Sequence, residues 1–110
     1  MPRRYKTPRY LLGRQFEYRV KKLLEAEGYL VVRCARSKPF DLIAFFPGLP
    51  PLAVECKRSY SALYHSKEKI EEQRRLAERY GMDFLVAYGE EIWRFREEVK
   101  KRKEKTGFTR

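Results

Sequence analysis

The sequence predicts an α/β domain in which a helix and three strands are followed by a second helix and two further strands. In two segments apolar residues recur at helical spacing, and each segment ends at a glycine, Gly28 or Gly81. Five shorter segments are rich in β-branched and aromatic residues. We therefore expect a mixed, five-stranded central sheet flanked by helices, in the order αβββαββ.

Length and composition limit the kind of protein this can be. The chain has 110 residues, of which 43% are hydrophobic, which indicates one ordered domain with its functional site on an open face or completed by a second subunit. The 26 Lys and Arg outnumber the 15 Asp and Glu and give a net charge of +11. Such a surplus attracts polyanions, above all nucleic acid, although it also serves solubility or binding within an RNA assembly.

No targeting signal is evident in the sequence. It contains neither an apolar run long enough to cross a membrane nor the apolar core of a signal peptide, so we expect a cytoplasmic protein. Cys34 and Cys56 both fall in predicted strands, without a partner at metal-ligand spacing. We interpret them as small core residues in a reducing compartment, with a disulfide between neighbouring strands as the alternative.

A basic arm, residues 1–9, begins the chain. It has two prolines, no acid and four cations that would lie along nucleic-acid phosphates: Arg3, Arg4, Lys6 and Arg9. A frayed, solvated terminus is the alternative.

The first predicted helix runs from Tyr10 to Glu27. Its apolar face consists of Leu12, Phe16, Val20, Leu23 and Leu24. Glu17 falls at the edge of that face, about 20° past Leu24 on a helical wheel. Its carboxylate could reach a metal held on the sheet beneath, or it could pair with Lys21 one turn later.

The first predicted strand, residues 29–34, leads into a basic loop. The loop delivers four polar side chains close to Asp41: Arg33, Arg36, Ser37 and Lys38. Cations beside carboxylates suit a site that binds a phosphodiester, because they attract the anion that the carboxylates would repel. For Arg36 and Lys38, a basic turn at a sheet end explains the sequence nearly as well.

Residues 40–57 form the centre of the predicted sheet. Two apolar runs flank the Pro- and Gly-rich residues 47–51, which predicts an antiparallel hairpin. Side chains alternate along a strand, so Glu55 and Lys57 share one face. Two registers are open, with Asp41 opposite Lys57 in one and opposite Glu55 in the other. Either register gathers the three charged residues on one face.

These three residues have a chemical interpretation. Asp41 and Glu55 could supply the carboxylates that hold Mg²⁺ beside substrate phosphates and water. Lys57 could position or deprotonate the attacking water, or offset the charge of the transition state. A solvated sheet face also alternates polar with apolar residues, so the spacing alone leaves both interpretations open. The apolar neighbours favour a site, since charges are seldom buried without a partner or a metal.

One helix and two strands make up the rest of the predicted domain. Ser66 is the predicted N-cap of a helix that ends near Tyr80. A strand at residues 83–88, a tight turn and a last strand at residues 92–95 follow.

The chain thus divides into the arm of residues 1–9, a single domain of residues 10–96 and a basic tail of residues 97–110. A short helix could extend from Arg96 to Lys105. Arg58, directly after the hairpin, adds a further cation suited to a DNA backbone.

Several motifs occur in a characteristic order between about residues 10 and 95. They are Gly13–Glu17, Leu23–Leu24, Gly28–Arg33, Ser37–Ala44, Val54–Lys57, Leu63–Tyr64, Arg79–Gly81, Leu85–Ala87 and Trp93–Phe95. Asp41 with Glu55-Cys56-Lys57 resembles the D…ExK core of the PD-(D/E)xK nucleases. The whole order and spacing resemble, more specifically, the archaeal-type Holliday junction resolvases.

The resemblance implies a restriction-endonuclease-like fold and a structure-selective endonuclease. Such an enzyme resolves four-way DNA junctions by hydrolysis that leaves 5′-phosphate and 3′-hydroxyl ends, uses Mg²⁺ or Mn²⁺, and acts as a homodimer. It also implies that Glu17, Asp41 and Glu55 hold the metal. Lys57 would act on the water or the transition state, and Arg33 with Ser37 would contact the scissile region.

Two other functions stay open from the sequence. The first is another nuclease with the same core that acts on flaps, ends or single strands, because a metal site fixes the chemistry and leaves the shape of the DNA open. The second is a basic nucleic-acid-binding protein without catalytic activity.

Overall fold

The computed structural model describes residues 8–59 and 66–107, and only the backbone of Arg9 and Tyr10. Some predictions concern residues outside this part of the chain: the DNA contacts Arg3, Arg4 and Lys6, the side chain of Arg9, and the motif residues Leu63 and Tyr64.

The described residues form three helices and four strands. The helices are Arg9–Ala26 (α1), Lys67–Arg79 (α2) and Ile92–Glu104 (α3). The strands are Leu30–Arg33 (β1), Leu42–Phe45 (β2), Leu52–Lys57 (β3) and Asp83–Tyr88 (β4). Ser66 occupies the N-cap of α2 as predicted, but its side chain makes no capping hydrogen bond. None of these helices is long and apolar enough to cross a membrane.

The strands lie side by side in the order β1-β2-β3-β4. Strands β1, β2 and β3 pair antiparallel, and β4 pairs parallel to β3. The mixed sheet and the α/β class are therefore as predicted. This topology brings the ends of β1, β3 and β4 and the start of β2 to the same edge of the sheet.

The predicted fifth strand at residues 92–95 is wrong, because these residues form the first turn of α3. The run from Ile92 to Phe95 is apolar and aromatic, which is typical of a short strand. However, Phe95, Val99 and Arg102 are buried at helical spacing, so the same periodicity continues into the charged segment. The predicted domain boundary at residue 96 falls inside this helix.

The sheet separates two apolar cores. Helices α1 and α3 cover one face, where Val20 and Val99 pack against strand residues such as Val54. Helix α2 covers the other face, where Ile70 packs with Ala53. Neighbouring residues of β3 thus point to opposite cores, as the predicted alternation requires.

The register of the hairpin follows from three backbone pairs. Leu42 lies opposite Val54, and Ala44 lies opposite Leu52. Continuing this pairing by one residue places Asp41 across from Glu55. The second of the two predicted registers is therefore the one adopted.

Buried Arg102 fastens α3 to the sheet. Its Nε and Nη2 donate to one carboxylate oxygen of Asp83 at 3.1 and 2.7 Å. Its Nη1 donates to the hydroxyl of Tyr29 at 3.1 Å, and Nη2 also donates to the carbonyl of Pro50 at 2.9 Å. A buried guanidinium is stable only with such partners, so the last turn of α3 belongs to the folded core.

Candidate active site

Five residues predicted from the sequence as catalytic gather at one edge of the sheet. Glu17 comes from α1, Ser37 from the turn after β1, Asp41 from the residue before β2, and Glu55 and Lys57 from the end of β3. Hydrogen bonds and short-range charge interactions link them, as the following paragraphs describe.

Asp41 is held by the main chain of both neighbouring strands. Its side chain is only 6% exposed, and its Oδ2 accepts a hydrogen bond of 2.7 Å from the backbone N–H of Cys56. Its own carbonyl accepts a bond of 3.0 Å from the backbone N–H of Cys34. The carboxylate therefore has a fixed position between β1 and β3.

Glu55 is a buried carboxylate with an unused oxygen. Its side chain is 3% exposed; Oε2 lies 3.8 Å from the ammonium of Lys57, while Oε1 is buried without a hydrogen-bond partner in the described structure. Burial raises the pKa of Glu55 to about 7, and the Asp41 carboxylate adds to this rise, against the opposing effect of Lys57 and Lys69. Loss of a proton here thus creates a poorly solvated negative charge.

Glu17 reaches down from α1 to the end of β1. Its Oε2 accepts a hydrogen bond of 3.2 Å from Arg33 Nε, and its Oε1 accepts one of 3.1 Å from the hydroxyl of Ser37. Burial and then the charge of Asp41 raise the pKa of Glu17, while Ser37 and Arg33 act in the opposite direction. The carboxylate faces the sheet edge and does not form the ion pair with Lys21 that was the alternative.

The donor set suits a hard cation. Carboxylate oxygens are the ligands that Mg²⁺ prefers, and the unused Oε1 of Glu55 is an acceptor without a donor. Among the described side chains, no group of three or more His, Cys, Asp or Glu is placed to hold a metal ion together. A site for Mg²⁺ does not require three protein ligands, since the ion is commonly held by one or two carboxylates with phosphate and water. Asp41 and Glu55 fit that pattern, with Glu17 beside them.

Two comparisons with known proteins identify the family of this chain. A family model of archaeal Holliday junction resolvases (Hjc) matches residues 9–109. The chain belongs to this family. A curated Hjc relative is the crossover junction endodeoxyribonuclease Hjc of Methanocaldococcus jannaschii, which is 43% identical over 74 residues. The match covers 66% of this chain and 55% of the relative, so the chain spans about half the length of that Hjc protein.

The turn that supplies Ser37 has an uncommon backbone in this member of the Hjc family. Arg36 and Ser37 have φ angles of 56° and 54°, in the left-handed region that L-residues seldom adopt. Such conformations cost on the order of 1 kcal/mol or more each and are often found at functional sites. Here the conformation directs the hydroxyl of Ser37 to Glu17 and leaves Arg36 and Lys38 exposed beside the site.

Two cations near Glu17 were not predicted as site residues from the sequence of this Hjc member. Arg14 and Lys21 line a cavity of about 240 Å³ together with Arg33, on the side of Glu17 where β1 ends. Tyr18, which follows Glu17, lines the same cavity. The spacing of Arg14 and Lys21 from Glu17, three and four residues, could have indicated their shared helix face.

Proposed function

We propose that this protein is a structure-selective endonuclease that resolves four-way DNA junctions by paired hydrolysis of phosphodiester bonds. The observation that carries the proposal is the cluster of Glu17, Asp41 and Glu55 beside Lys57 at one sheet edge. Membership in the Hjc family and the name of the Methanocaldococcus relative support this activity and this substrate.

In this proposal Asp41 and Glu55 hold Mg²⁺, Glu17 is a further ligand, and Mn²⁺ can substitute for Mg²⁺. When bound, the ion supplies Lewis-acid activation of the phosphate and a more acidic water. The metal requirement is supported by the carboxylate-rich donor set and by the unused Oε1 of Glu55.

The protein's other side chains have complementary tasks. The ammonium of Lys57, 3.8 Å from Glu55, orients the attacking water and offsets the negative charge that develops on the phosphate. Arg33 and Ser37 donate to different oxygens of Glu17, so they orient that carboxylate as well as facing the scissile region. In the free protein Ser37 is therefore a positioning residue.

A basic surface would bring the DNA to this edge. Arg36, Lys38 and Arg58 are exposed around the carboxylates and would contact backbone phosphates. Their charge also reduces the repulsion between the phosphates and the carboxylates.

The active form in this proposal is a homodimer. A four-way junction is nearly two-fold symmetric, so two matched cuts require two sites related by a two-fold axis. On the α2 side of the sheet, Leu30, Val32 and Phe45 are 68%, 49% and 40% exposed, and Leu30 lies directly opposite Phe45 in the β1–β2 pair. This apolar patch supplies a centre for the contact between two copies.

Cleavage of an end-labelled four-way junction tests the proposal. The junction is compared with a linear duplex and a flap of related sequence, in Mg²⁺, in Mn²⁺ and in chelator. We expect paired, symmetric nicks in the junction that need metal. Asp41→Asn should lower the rate by at least about a hundredfold and leave junction binding unchanged or tighter, since a negative charge near phosphate is removed.

The other open functions give different results. Preferential cutting of flaps, ends or single strands would assign a nuclease of the same core but another substrate. Binding without cutting in every metal, with no effect of Asp41→Asn, would indicate a basic nucleic-acid-binding protein without catalytic activity.

A further inference from the structure

A groove of about 370 Å³ lies where β3 and β4 end. One wall is a stripe of α1 formed by Leu12, Gln15, Phe16 and Arg19, which share a helix face because they lie three or four residues apart. Glu17 lies on the neighbouring face of α1 and points to the end of β1. We call this cavity the β4-side groove; with the cavity beside Arg33, it places basic side chains on both sides of Glu17.

The opposite wall of the β4-side groove consists of residues that follow the strands. Arg58 comes directly after β3, while Gly89 and Glu90 come directly after β4. A Cβ atom on Gly89 would lie 2.7 Å from the carbonyl oxygen of Arg58, which is closer than Cβ atoms approach such an atom. Only a glycine therefore lets the two strand ends pack this closely, and the contact fixes the backbone of Arg58 at the groove.

The charges in the groove are available for a ligand. Arg19 and Arg58 are exposed, and within residues 8–59 and 66–107 no ion pair joins either of them to a carboxylate, that of Glu90 included. Phe16, which is 5% exposed, and half-buried Leu12 make part of the α1 wall apolar. Two guanidinium groups beside an apolar wall suit a sugar-phosphate unit, whose phosphate is anionic and whose sugar is partly apolar.

We propose that the β4-side groove binds the phosphodiester next to the one that is cut, on the same DNA strand, through Arg19 and Arg58. This inference rests on the proposed function. A strand that crosses the sheet edge runs from the side of Arg33, over the carboxylates of Asp41 and Glu55, into the groove. The two arginines then hold the strand against the repulsion of those carboxylates.

The assignment is tested with junctions in which a single charged phosphodiester is replaced by an uncharged methylphosphonate. The cut is first mapped with unmodified DNA, and junctions are then made with one methylphosphonate immediately 5′ or immediately 3′ of it. Single-turnover cleavage in Mg²⁺ is measured for the wild type, for Arg19→Gln/Arg58→Gln and for Arg96→Gln. The last variant removes one exposed arginine of α3 outside the groove and measures the effect of losing a single positive charge elsewhere.

We expect the double variant to cut the unmodified junction about tenfold more slowly than the wild type, and Arg96→Gln to stay within about twofold. A methylphosphonate at one of the two positions should slow the wild type by a similar factor and should not slow the double variant further, because both changes remove the same contact. Circular dichroism is used to check that both variants are folded.

Three results would overturn the inference. The groove does not hold that phosphate if the folded double variant cuts at the same rate as Arg96→Gln. The same conclusion follows if the rate reductions caused by the double variant and by the methylphosphonate multiply at both positions. In both cases the proposed function stands. If the wild type cuts no junction in either metal, the proposed function and this inference fail together.

Discussion

Glu55 shows how the site compromises between stability and function. Its carboxylate is buried, one of its oxygens lacks a hydrogen-bond donor in the described structure, and Asp41 lies across the hairpin. A buried charge without full compensation opposes folding. The same property favours a cation at this position. We therefore expect the buried charge to lower the free energy of unfolding of the metal-free protein.

The pH dependence of stability follows from the pKa of Glu55. Folding raises it from 4.5 to about 7, so the folded protein binds this proton more tightly than the unfolded chain. The stability contributed by this group is present at low pH and is lost as the pH rises through about 7. Glu55→Gln should therefore raise the free energy of unfolding in chelator by roughly 1–3 kcal/mol at pH 8 and by less than half as much at pH 5.

Urea unfolding at the two pH values measures this effect. Glu71→Gln, an exposed residue of α2 paired with Arg74, serves as the control and should change stability little at either pH. An equal gain for Glu55→Gln at both pH values would contradict the prediction.

Single residues were predictable from the sequence to different degrees. Strand alternation was enough to bring Asp41, Glu55 and Lys57 together, because the period of two allows few arrangements. The bond from Ser37 to Glu17 was not predictable, since it depends on a left-handed backbone at two non-glycine residues that no local sequence rule specifies. Arg19 was not predicted as a DNA contact, because the groove that it lines forms only where α1 packs against the ends of β3 and β4.

Among the elements, the first turn of α3 was predicted with the wrong secondary structure, whereas the short helix expected from Arg96 to Lys105 is present. A four-residue apolar run is compatible with a strand or with one helix turn, and few apolar residues follow it to show that the helical period already begins at Ile92. The decisive residue is Arg102, which long-range contacts bury as if it were apolar. Such burial depends on Tyr29, Pro50 and Asp83, all distant in sequence, and therefore cannot be inferred from the local pattern.

The role of α3 beyond residue 96 can be tested by stability. Val99 is fully buried between α3 and the sheet, so Val99→Ala should lower the free energy of unfolding by about 1–3 kcal/mol through lost packing. Glu97→Ala, at an exposed position of the same helix, should stay within about 0.5 kcal/mol. Denaturant unfolding distinguishes them, and a neutral Val99→Ala would mean that this part of the helix adds nothing to the core.

At the scale of the whole molecule, net charge and the order of the motifs were the features of the sequence that best indicated function. The net charge of +11 indicated a polyanionic partner, and the order of the motifs indicated the family that the family model confirms. The surface of the proposed contact between two copies could not be located from the sequence, because the sequence does not show which apolar residues the fold leaves exposed. The patch of Leu30, Val32 and Phe45 became visible only with the sheet.

The proposed dimer depends on that patch. Leu30→Thr/Val32→Thr places threonine, which favours strands, at both positions of β1 but removes apolar surface, so we expect at least about a tenfold weaker dimer. Sedimentation velocity over a micromolar concentration series measures this change. Tyr80→Ser removes exposed apolar surface at the end of α2 and should leave the association unchanged. A wild type that is monomeric throughout the series would count against the proposed function as a whole.

The hydrogen bond from the Cys56 amide to Asp41 limits which residues can replace Cys56. Between Glu55 and Lys57 the site requires an amide hydrogen, and the side chain only has to fit among its apolar neighbours. Alanine, serine or valine would meet that demand, whereas proline has no hydrogen to give. The residue between Glu55 and Lys57 can therefore vary among small side chains, whereas the main-chain hydrogen bond excludes proline.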